Sequence, residues 1–171
     1  MNLPKRKHPR LKKYDYSQTG CYFITICIKN RLHLLGEIPD NVSALPNVWE
    51  ENLSLIILSD IGRTVQTYIT SINETYPAVS VDHSVIMPNH IHLLISIIEH
   101  ENNDVEMLSP RPTLNTILRS FKTMITKQIG YSIWQESFYD RIIRDDKGYL
   151  EVFNYIDKNQ LKWHEDELYG K

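Results

Sequence analysis

The sequence has few cysteines and no long apolar run, and each shortage excludes a class of protein. Only two of its 171 residues are cysteines, Cys21 and Cys27, and they do not form the CxxC pair typical of zinc and redox motifs. No segment reaches the roughly 18 apolar residues of a membrane helix, and the N-terminus lacks the apolar core of a signal peptide. We therefore expect reduced cysteines in the core and a cytoplasmic address.

The chain also lacks an overall excess of basic residues. It has 19 lysines and arginines against 21 acidic residues, and its net charge is -2. Total charge therefore gives no sign of nucleic-acid binding. Basic residues crowd into the first thirteen positions, ending with Lys12 and Lys13, with no acidic residue among them. Such an arm either contacts phosphate or is a solubilising tail, and charge alone does not decide between the two.

The length suits one domain that buries a core. We expect a basic arm over residues 1–14, one domain over residues 15–163 and a C-terminal tail over residues 164–171. The apolar periodicity predicts the order strand, helix, strand, strand, helix, strand, helix. This order predicts an α+β fold of ferredoxin-like or RRM-like type, with an antiparallel sheet and helices packed on one face.

Capping and turn residues bound the predicted elements. Ser59 or Asp60, Thr113, and Asp145 or Asp146 precede apolar patterns of helical spacing, and Gly130 ends the second helix. The third helix is predicted to continue to about Trp163. The main strands are predicted at Cys21–Ile28, Val79–Met87, His90–Ile98 and Phe138–Ile143.

Two histidines, His90 and His92, stand two residues apart in the most apolar of these strands. Side chains alternate along a strand, so both imidazoles project to the same face. Neutral imidazole is a good ligand for divalent transition metals, and two polar rings in so apolar a strand need a reason. A strand histidine is more often a surface or hydrogen-bonded core residue, however. Two imidazoles also do not fix a metal's geometry, so a further ligand has to come from elsewhere.

The last predicted helix carries Tyr155 and Asn159, four residues apart and hence on one helical face. The amide oxygen of Asn159 could complete a metal site, and the phenol of Tyr155 would then stand beside the metal. A phenol with a pKa of about 10 is a weak nucleophile at neutral pH. It becomes plausible where a metal polarises the phosphate that it attacks. The chain has ten tyrosines, and the ordinary role of a tyrosine is packing.

These residues resemble a known family. The segment PNHIHLLI resembles the HUH motif, in which two histidines flank a hydrophobic residue, and the tyrosine with an amide four residues on resembles the single-tyrosine transposases. The segments YDYSQTGCYFITICIKNR and WQESFYDRIIRDDKGYLEVFNYIDKN resemble the REP-associated tyrosine transposases within that family. The resemblance extends from about Leu11 to Gln160, which is nearly the whole chain.

The resemblance implies that His90, His92 and Asn159 bind Mg²⁺ or Mn²⁺ and that Tyr155 is the nucleophile. It implies an enzyme that cleaves single-stranded DNA at hairpin-forming palindromes, retains a 5′ phosphotyrosine and releases a 3′ hydroxyl. Reversal of this step would rejoin DNA, with no nucleotide cofactor, because transesterification replaces one phosphodiester with another. Relatives act as monomers or homodimers, and both remain possible here.

The sequence departs from the family at one ligand position and offers rival nucleophiles. Many relatives carry proline where this chain has Gln160, whose amide is an alternative ligand. Asn159 fits the face of Tyr155 better, since each helical step rotates by about 100°. Tyr139 falls on a predicted strand rather than a helix, and Tyr149 has no amide four residues later.

A DNA path and two other functions also stay open. Candidate phosphate contacts are Lys12, Lys13, Arg119, Lys122, Arg141 and Arg144, although each taken singly is more often a solvated surface residue. One alternative function is an inactive or domesticated module that binds single-stranded nucleic acid without cutting it. The other is a small hydrolase with a metal-bound water, which would not need Tyr155.

Overall fold

A computed structural model describes residues 18–39, 55–98 and 112–169 of the chain. The helices are α1 (Asp60–Thr75), α2 (Leu114–Ile129) and α3 (Asp146–Lys158), with short 3₁₀ helices at Lys29–Arg31 and Gln160–Glu165. The strands are β1 (Gly20–Cys27), β2 (Gly36–Glu37), β3 (Ile57–Leu58), β4 (Val79–Met87), β5 (His90–Ile97) and β6 (Tyr139–Ile143). The predicted basic arm, with Lys12 and Lys13, lies outside the described residues.

Four of the strands form one antiparallel sheet in the order β4-β5-β1-β6. The short strands β2 and β3 pair separately as an antiparallel ribbon. The sheet is built from two strand–helix–strand units, β1-α1-β4 and β5-α2-β6. The strands of the second unit, β5 and β6, lie on either side of β1. This is the ferredoxin-like arrangement, so the predicted α+β fold class is confirmed.

The two faces of the sheet are covered by different helices. One face carries Ile24, Ile26, Leu93 and Ile95, which are all fully buried, and α1 and α2 pack against each other on this side. The third helix lies on the opposite face, where Tyr155 contacts the ring of His92. The element order alone predicted helices on one face. The structure places α3 on the second face, where it buries the apolar side of its own helix.

The helix boundaries follow the capping residues that the sequence marked. Ser59 Oγ accepts a hydrogen bond from Gly62 N, and Asp145 Oδ1 accepts one from Gly148 N. Gly130 ends α2 with a φ of 87°, a left-handed conformation that glycine adopts without strain. The predicted third helix is shorter than expected, because α3 ends at Lys158 and the chain tightens into a 3₁₀ helix at Gln160.

Two further predictions concern the cysteines and the membrane. Cys27 is buried and Cys21 is partly buried, and both are free thiols. Within the three described ranges, no helix has both the length and the apolar character needed to cross a lipid bilayer.

Candidate active site

The imidazoles of His90 and His92 lie side by side on the face of β5 that α3 covers. Their Nε2 atoms are 3.0 Å apart, and both side chains are buried. The alternation of the strand places them there, as the sequence predicted, with the apolar residues Ile91 and Leu93 directed to the other face. Two ring nitrogens at this distance repel each other unless a proton or a cation lies between them.

Burial lowers the pKa of both imidazoles. Loss of hydration lowers the pKa of His92 to about 3. The pKa of His90 is also well below its usual value, first through burial and then through the charge repulsion that its protonated ring would meet from His92 and Arg31. Both rings are therefore neutral at pH 7, which is the form that binds a metal ion.

The remote nitrogen of each ring is held by a hydrogen-bonding side chain. His92 Nδ1 lies 2.8 Å from Thr25 Oγ1, and His90 Nδ1 lies 2.8 Å from Asn89 Oδ1. Asn89 Nδ2 donates to Leu168 O at 2.9 Å, which fixes the orientation of that amide. Because Asn89 Oδ1 can only accept, the hydrogen of His90 is on Nδ1 and the lone pair is on Nε2. Such contacts orient the imidazole ligands of metal sites.

Asp166 joins the histidine pair, although no motif in the sequence pointed to it. Its Oδ2 is 4.0 Å from His90 Nε2, and one ligand atom from each of His90, His92 and Asp166 lies within 4.8 Å of the others. Burial raises the pKa of the carboxyl, while hydrogen bonds from Leu168 N and the Asn159 side chain oppose this. Asp166 falls in the segment assigned to a C-terminal tail. It is one of several acidic residues there, so no spacing singled it out.

The neighbouring amides of Asn159 and Gln160 have different roles. Gln160 Oε1 accepts from Leu55 N at 2.6 Å, and its Nε2 donates to Ile86 O at 3.0 Å, so both ends of its amide are used. Asn159 Oδ1 is buried and has no hydrogen-bond partner within the described part of the chain. A buried oxygen without a partner is unfavourable unless a ligand satisfies it. The available amide oxygen is therefore that of Asn159.

Tyr155 reaches the same cluster from α3. Its Oη lies 3.5 Å from His92 Nε2, and its ring packs edge-on against His92 and Phe23. Burial raises the pKa of the phenol, and the negative charge of Asp166 adds to this, whereas a hydrogen bond from Asn159 opposes it. The phenol is therefore protonated at neutral pH. A nearby cation would be needed to offset the carboxylate and activate it.

Contacts with β4 and the core hold α3 in this position. Phe153 stacks on His83 with ring centroids 4.2 Å apart, and Val152 and Ile156 are buried. Asp157 Oδ1 lies 3.7 Å from His83 Nε2, near enough for an attraction when the imidazole is protonated. The helix that carries the phenol is thus fixed to the sheet that carries the imidazoles.

Comparisons with known proteins agree with this architecture. No protein-family model matches the chain. A Haemophilus influenzae (strain Rd) protein of undescribed function is 33% identical in an alignment 180 positions long, gaps included, that covers 96% of this chain and 93% of that protein. A second H. influenzae protein, named as a candidate REP-associated tyrosine transposase, is 26% identical over 153 residues, covering 86% of this chain and 74% of its own.

A solved structure of a REP-associated tyrosine transposase bound to a REP hairpin has the same fold. It aligns with a TM-score of 0.57 and 19% identity, covering 90% of this chain and 73% of that chain. The chain is similar in sequence and fold to REP-associated tyrosine transposases. The resemblance found in the sequence is thereby confirmed, and the relationship to REP-associated tyrosine transposases supports a DNA-processing enzyme of the transposase type.

The rival tyrosines lie in different surroundings. Tyr139 is half exposed on β6, opposite Thr25 of β1, so two strand spacings of about 4.8 Å each separate it from β5 and His92. Tyr149 lies in the first turn of α3, where burial and then the charge of Asp82 raise the pKa of its phenol. Of the three tyrosines, Tyr155 is the one whose ring contacts His92.

Of the basic residues predicted to contact DNA, the four that the structure describes are scattered rather than gathered at the cluster. Arg141 is exposed on β6 in register with Phe23, on the face of the sheet that carries the histidines, and Arg144 is exposed just beyond that strand. Arg119 is exposed on α2, on the other side of the sheet. Lys122 is engaged internally, since its Nζ donates to the carbonyl oxygens of Gln135 and Glu136 at 2.6 and 2.9 Å.

Proposed function

We propose that this REP-associated transposase relative is a metal-dependent nuclease and strand transferase that cleaves and rejoins single-stranded DNA through a 5′ phosphotyrosine on Tyr155. One observation carries the proposal: the phenol of Tyr155 lies 3.5 Å from His92 Nε2, inside the cluster of imidazole, carboxylate and amide groups. A phenol with only a packing role has no need to stand among potential metal ligands.

The residues present fit a divalent cation. His90 and His92 offer two neutral nitrogens, Asp166 offers a carboxylate, and the buried oxygen of Asn159 lacks a partner among the described residues. These four residues would hold the ion. Their mixed nitrogen and oxygen donors favour Mn²⁺ over Mg²⁺, because Mg²⁺ prefers an all-oxygen shell. When bound, the cation polarises the phosphate and offsets the negative charge that develops on it.

The chemistry that this chain would supply is a transesterification. The phenol of Tyr155 loses its proton to solvent, and its oxygen forms a bond to the phosphorus of the scissile phosphodiester. The bond from phosphorus to the 3′ oxygen breaks, and its electron pair leaves with that oxygen, which takes up a proton to become a 3′ hydroxyl. One phosphodiester replaces another, so a 3′ hydroxyl attacking in the reverse direction rejoins DNA.

The substrate that we propose is hairpin DNA with an unpaired flank. The related transposase of known structure is bound to a REP hairpin, and this chain matches its fold over 90% of its own length. Arg141 is exposed on β6 on the face of the sheet that carries the histidines, where it could contact a phosphate of the unpaired flank. A single chain brings the phenol of Tyr155 within 3.5 Å of His92 Nε2, which supports catalysis within one protomer.

The test uses a library of hairpin DNAs with randomised single-stranded flanks, labelled at the 5′ end or the 3′ end, with Mn²⁺ present. We expect an SDS-stable adduct with 3′-labelled DNA and a shortened 5′-labelled fragment that ends in a 3′ hydroxyl. Tyr155→Phe should abolish both products, and Tyr149→Phe, a matched change on the same helix, should retain them.

Other outcomes would contradict the proposal in distinct ways. Binding of the library without an adduct would indicate a nucleic-acid-binding module. Cleavage that persists in Tyr155→Phe would indicate a hydrolase with a metal-bound water. An adduct on the opposite label would reverse the polarity of the proposed phosphotyrosine.

A further inference from the structure

A short basic turn adjoins the histidine cluster. The 3₁₀ turn Lys29–Arg31 follows β1, which ends at Cys27 directly opposite His90. Just before the turn, Ile28 N donates a hydrogen bond to Asn89 O at 2.9 Å, next to His90. The pKa of His90 is lowered first by burial and also by the positive charge of Arg31, as expected for a guanidinium close to the cluster. Arg31 therefore adjoins the site without belonging to it.

Arg31 carries two unfavourable features. Its backbone has a φ of 53°, in the left-handed region that a long side chain rarely occupies. Its Nη1 atom is buried and has no hydrogen-bond partner among the residues that the structure describes. A buried cationic donor without a partner is strongly unfavourable, and backbone strain is concentrated at ligand sites. Both features would be explained by a ligand that accepts hydrogen bonds and carries negative charge.

The turn lines an open cleft large enough for such a ligand. The cleft has a volume of about 500 Å³ and is lined by Lys29, Asn30, Arg31, Gln135 and Glu136. Its two walls are joined by hydrogen bonds from Lys29 N to Ile133 O and from Gln135 Nε2 to Ile28 O. Lys29 and Arg31 are cationic and Glu136 is the one acidic lining residue, so the lining has a net positive charge.

We propose that this cleft binds one phosphodiester of the substrate DNA. This phosphodiester lies near the one that Tyr155 attacks, on the same strand. Arg31 donates to the phosphate through its guanidinium, whose planar fork matches two phosphate oxygens, and Lys29 adds a second positive charge. The identity of the ligand as DNA rests on the proposed function. The cleft holds the strand against the cluster, so Arg31 and Lys29 are binding residues and do not act on the reacting atoms.

The first test measures the affinity for a single-stranded oligonucleotide in the presence of chelator, so that no cleavage occurs. We expect Arg31→Gln to weaken binding about tenfold and to reduce the slope of log K against log salt by about 0.7, the value for one phosphate contact on a single strand. The control is Arg63→Gln, an exposed arginine of α1 that bonds to Asp60 and Leu58 O. Equal losses in both variants would overturn the proposal, as would no loss in Arg31→Gln.

A second test locates the contact. Oligonucleotides that each carry one uncharged methylphosphonate are compared for binding to the wild-type chain and to Arg31→Gln. We expect the wild-type chain to lose affinity at one or two positions where Arg31→Gln loses none, because the partner of that phosphate is already missing. A variant that remains as sensitive as the wild type at every position would show that Arg31 contacts no phosphate.

The third variant guards against a folding defect. Arg31→Gly removes the guanidinium and also relieves the positive φ, so we expect its thermal unfolding temperature to match or exceed that of the wild type while binding is lost. Retained binding by a folded Arg31→Gly would overturn the proposal. The outcome is separable from the nuclease assay: Arg31-dependent binding without a Tyr155 adduct would support the cleft and refute the nuclease.

Discussion

Thr25 Oγ1 lies 2.8 Å from Nδ1 of His92, and the register of β1 and β5 pairs these two residues directly. A hydroxyl in this position holds the imidazole plane and leaves Nε2 directed at the cluster. Such contacts behind a metal ligand typically change metal affinity by 10- to 100-fold.

We therefore expect Thr25→Val, which preserves the shape of the side chain, to weaken Mn²⁺ binding by about 10- to 100-fold. Thr25→Ser retains the hydroxyl and should bind nearly as well as the wild type. Isothermal titration calorimetry measures both affinities, and the circular dichroism spectrum checks the fold. Equal affinities in the valine and serine variants would show that the hydroxyl does not orient His92.

Replacing Gln160 by leucine should mainly lower stability, whereas replacing Asn159 by leucine should mainly weaken metal binding. Gln160→Leu leaves Leu55 N and Ile86 O without partners in a buried site, so we expect a loss of about 2–4 kcal/mol in the free energy of unfolding. Asn159→Leu removes an oxygen that has no partner in the described structure. It also removes the amide N–H that bonds Asp166, so we expect a loss of about 1 kcal/mol in metal-free stability, smaller than that of Gln160→Leu, together with weaker Mn²⁺ binding.

Chemical denaturation without metal and calorimetric titration with Mn²⁺ measure the two quantities. If Gln160→Leu lost the metal and kept its stability, the roles assigned to the two amides would be reversed.

A bound cation should stabilise the folded chain. At a free Mn²⁺ concentration of 100 times Kd, linkage adds about 2.7 kcal/mol to the free energy of unfolding, which for a chain of this size raises Tm by about 5–10 °C. Chelator should reverse the rise. Asp166→Asn should need more Mn²⁺ for the same rise, and the double variant His90→Gln, His92→Gln should show none. A rise that survives in the double variant would place the cation elsewhere.

The buried histidines should make metal-free stability fall in acid. In the unfolded chain a histidine takes up a proton near pH 6.5, whereas in the folded chain the pKa of His92 is about 3 and that of His90 is well below its usual value. Between these limits the unfolded state binds more protons, so the free energy of unfolding decreases as pH falls from about 6.5. The slope approaches about 1.4 kcal/mol per pH unit for each histidine.

Denaturation in chelator at several pH values measures this slope. The double variant His90→Gln, His92→Gln should have a flatter profile between pH 6.5 and 5. The raised pKa of Asp166 acts in the opposite direction at lower pH, since its folded carboxyl takes up a proton more readily, and it is common to both proteins. Identical slopes in the two proteins would contradict the assignment of neutral, buried imidazoles.

Local signals predicted most of the fold. The caps at Ser59 and Thr113 and the glycine stop at Gly130 are decided within a few residues of chain, and the structure has each of them. The face of the sheet on which α3 lies is decided by distant packing, including the stacking of Phe153 on His83. The apolar periodicity of α3 shows which side of the helix is buried but does not show which face of the sheet it covers.

The candidate site divides in the same way. Spacing on a single element predicted that His90 and His92 share a face, and that Tyr155 and Asn159 share another, and the structure brings both pairs together. Asp166 and Arg31 arrive from a C-terminal segment and a tight turn, where neither helical nor strand periodicity applies. Their proximity to the histidines exists only after the chain has folded.

The hydrogen bonds of Gln160 limit how far α3, which carries Tyr155, could move during the proposed rejoining of DNA. Gln160 stands just beyond α3, one residue after Asn159 and five after Tyr155, and its amide is tied to Leu55 N and to Ile86 O of β4. A helix fastened in this manner would have little freedom to carry DNA joined to Tyr155, as proposed here, to a second copy of the chain. In a nuclease of this kind the DNA end joined to Tyr155 would stay at the site, and the strand with the attacking 3′ hydroxyl would have to bind there.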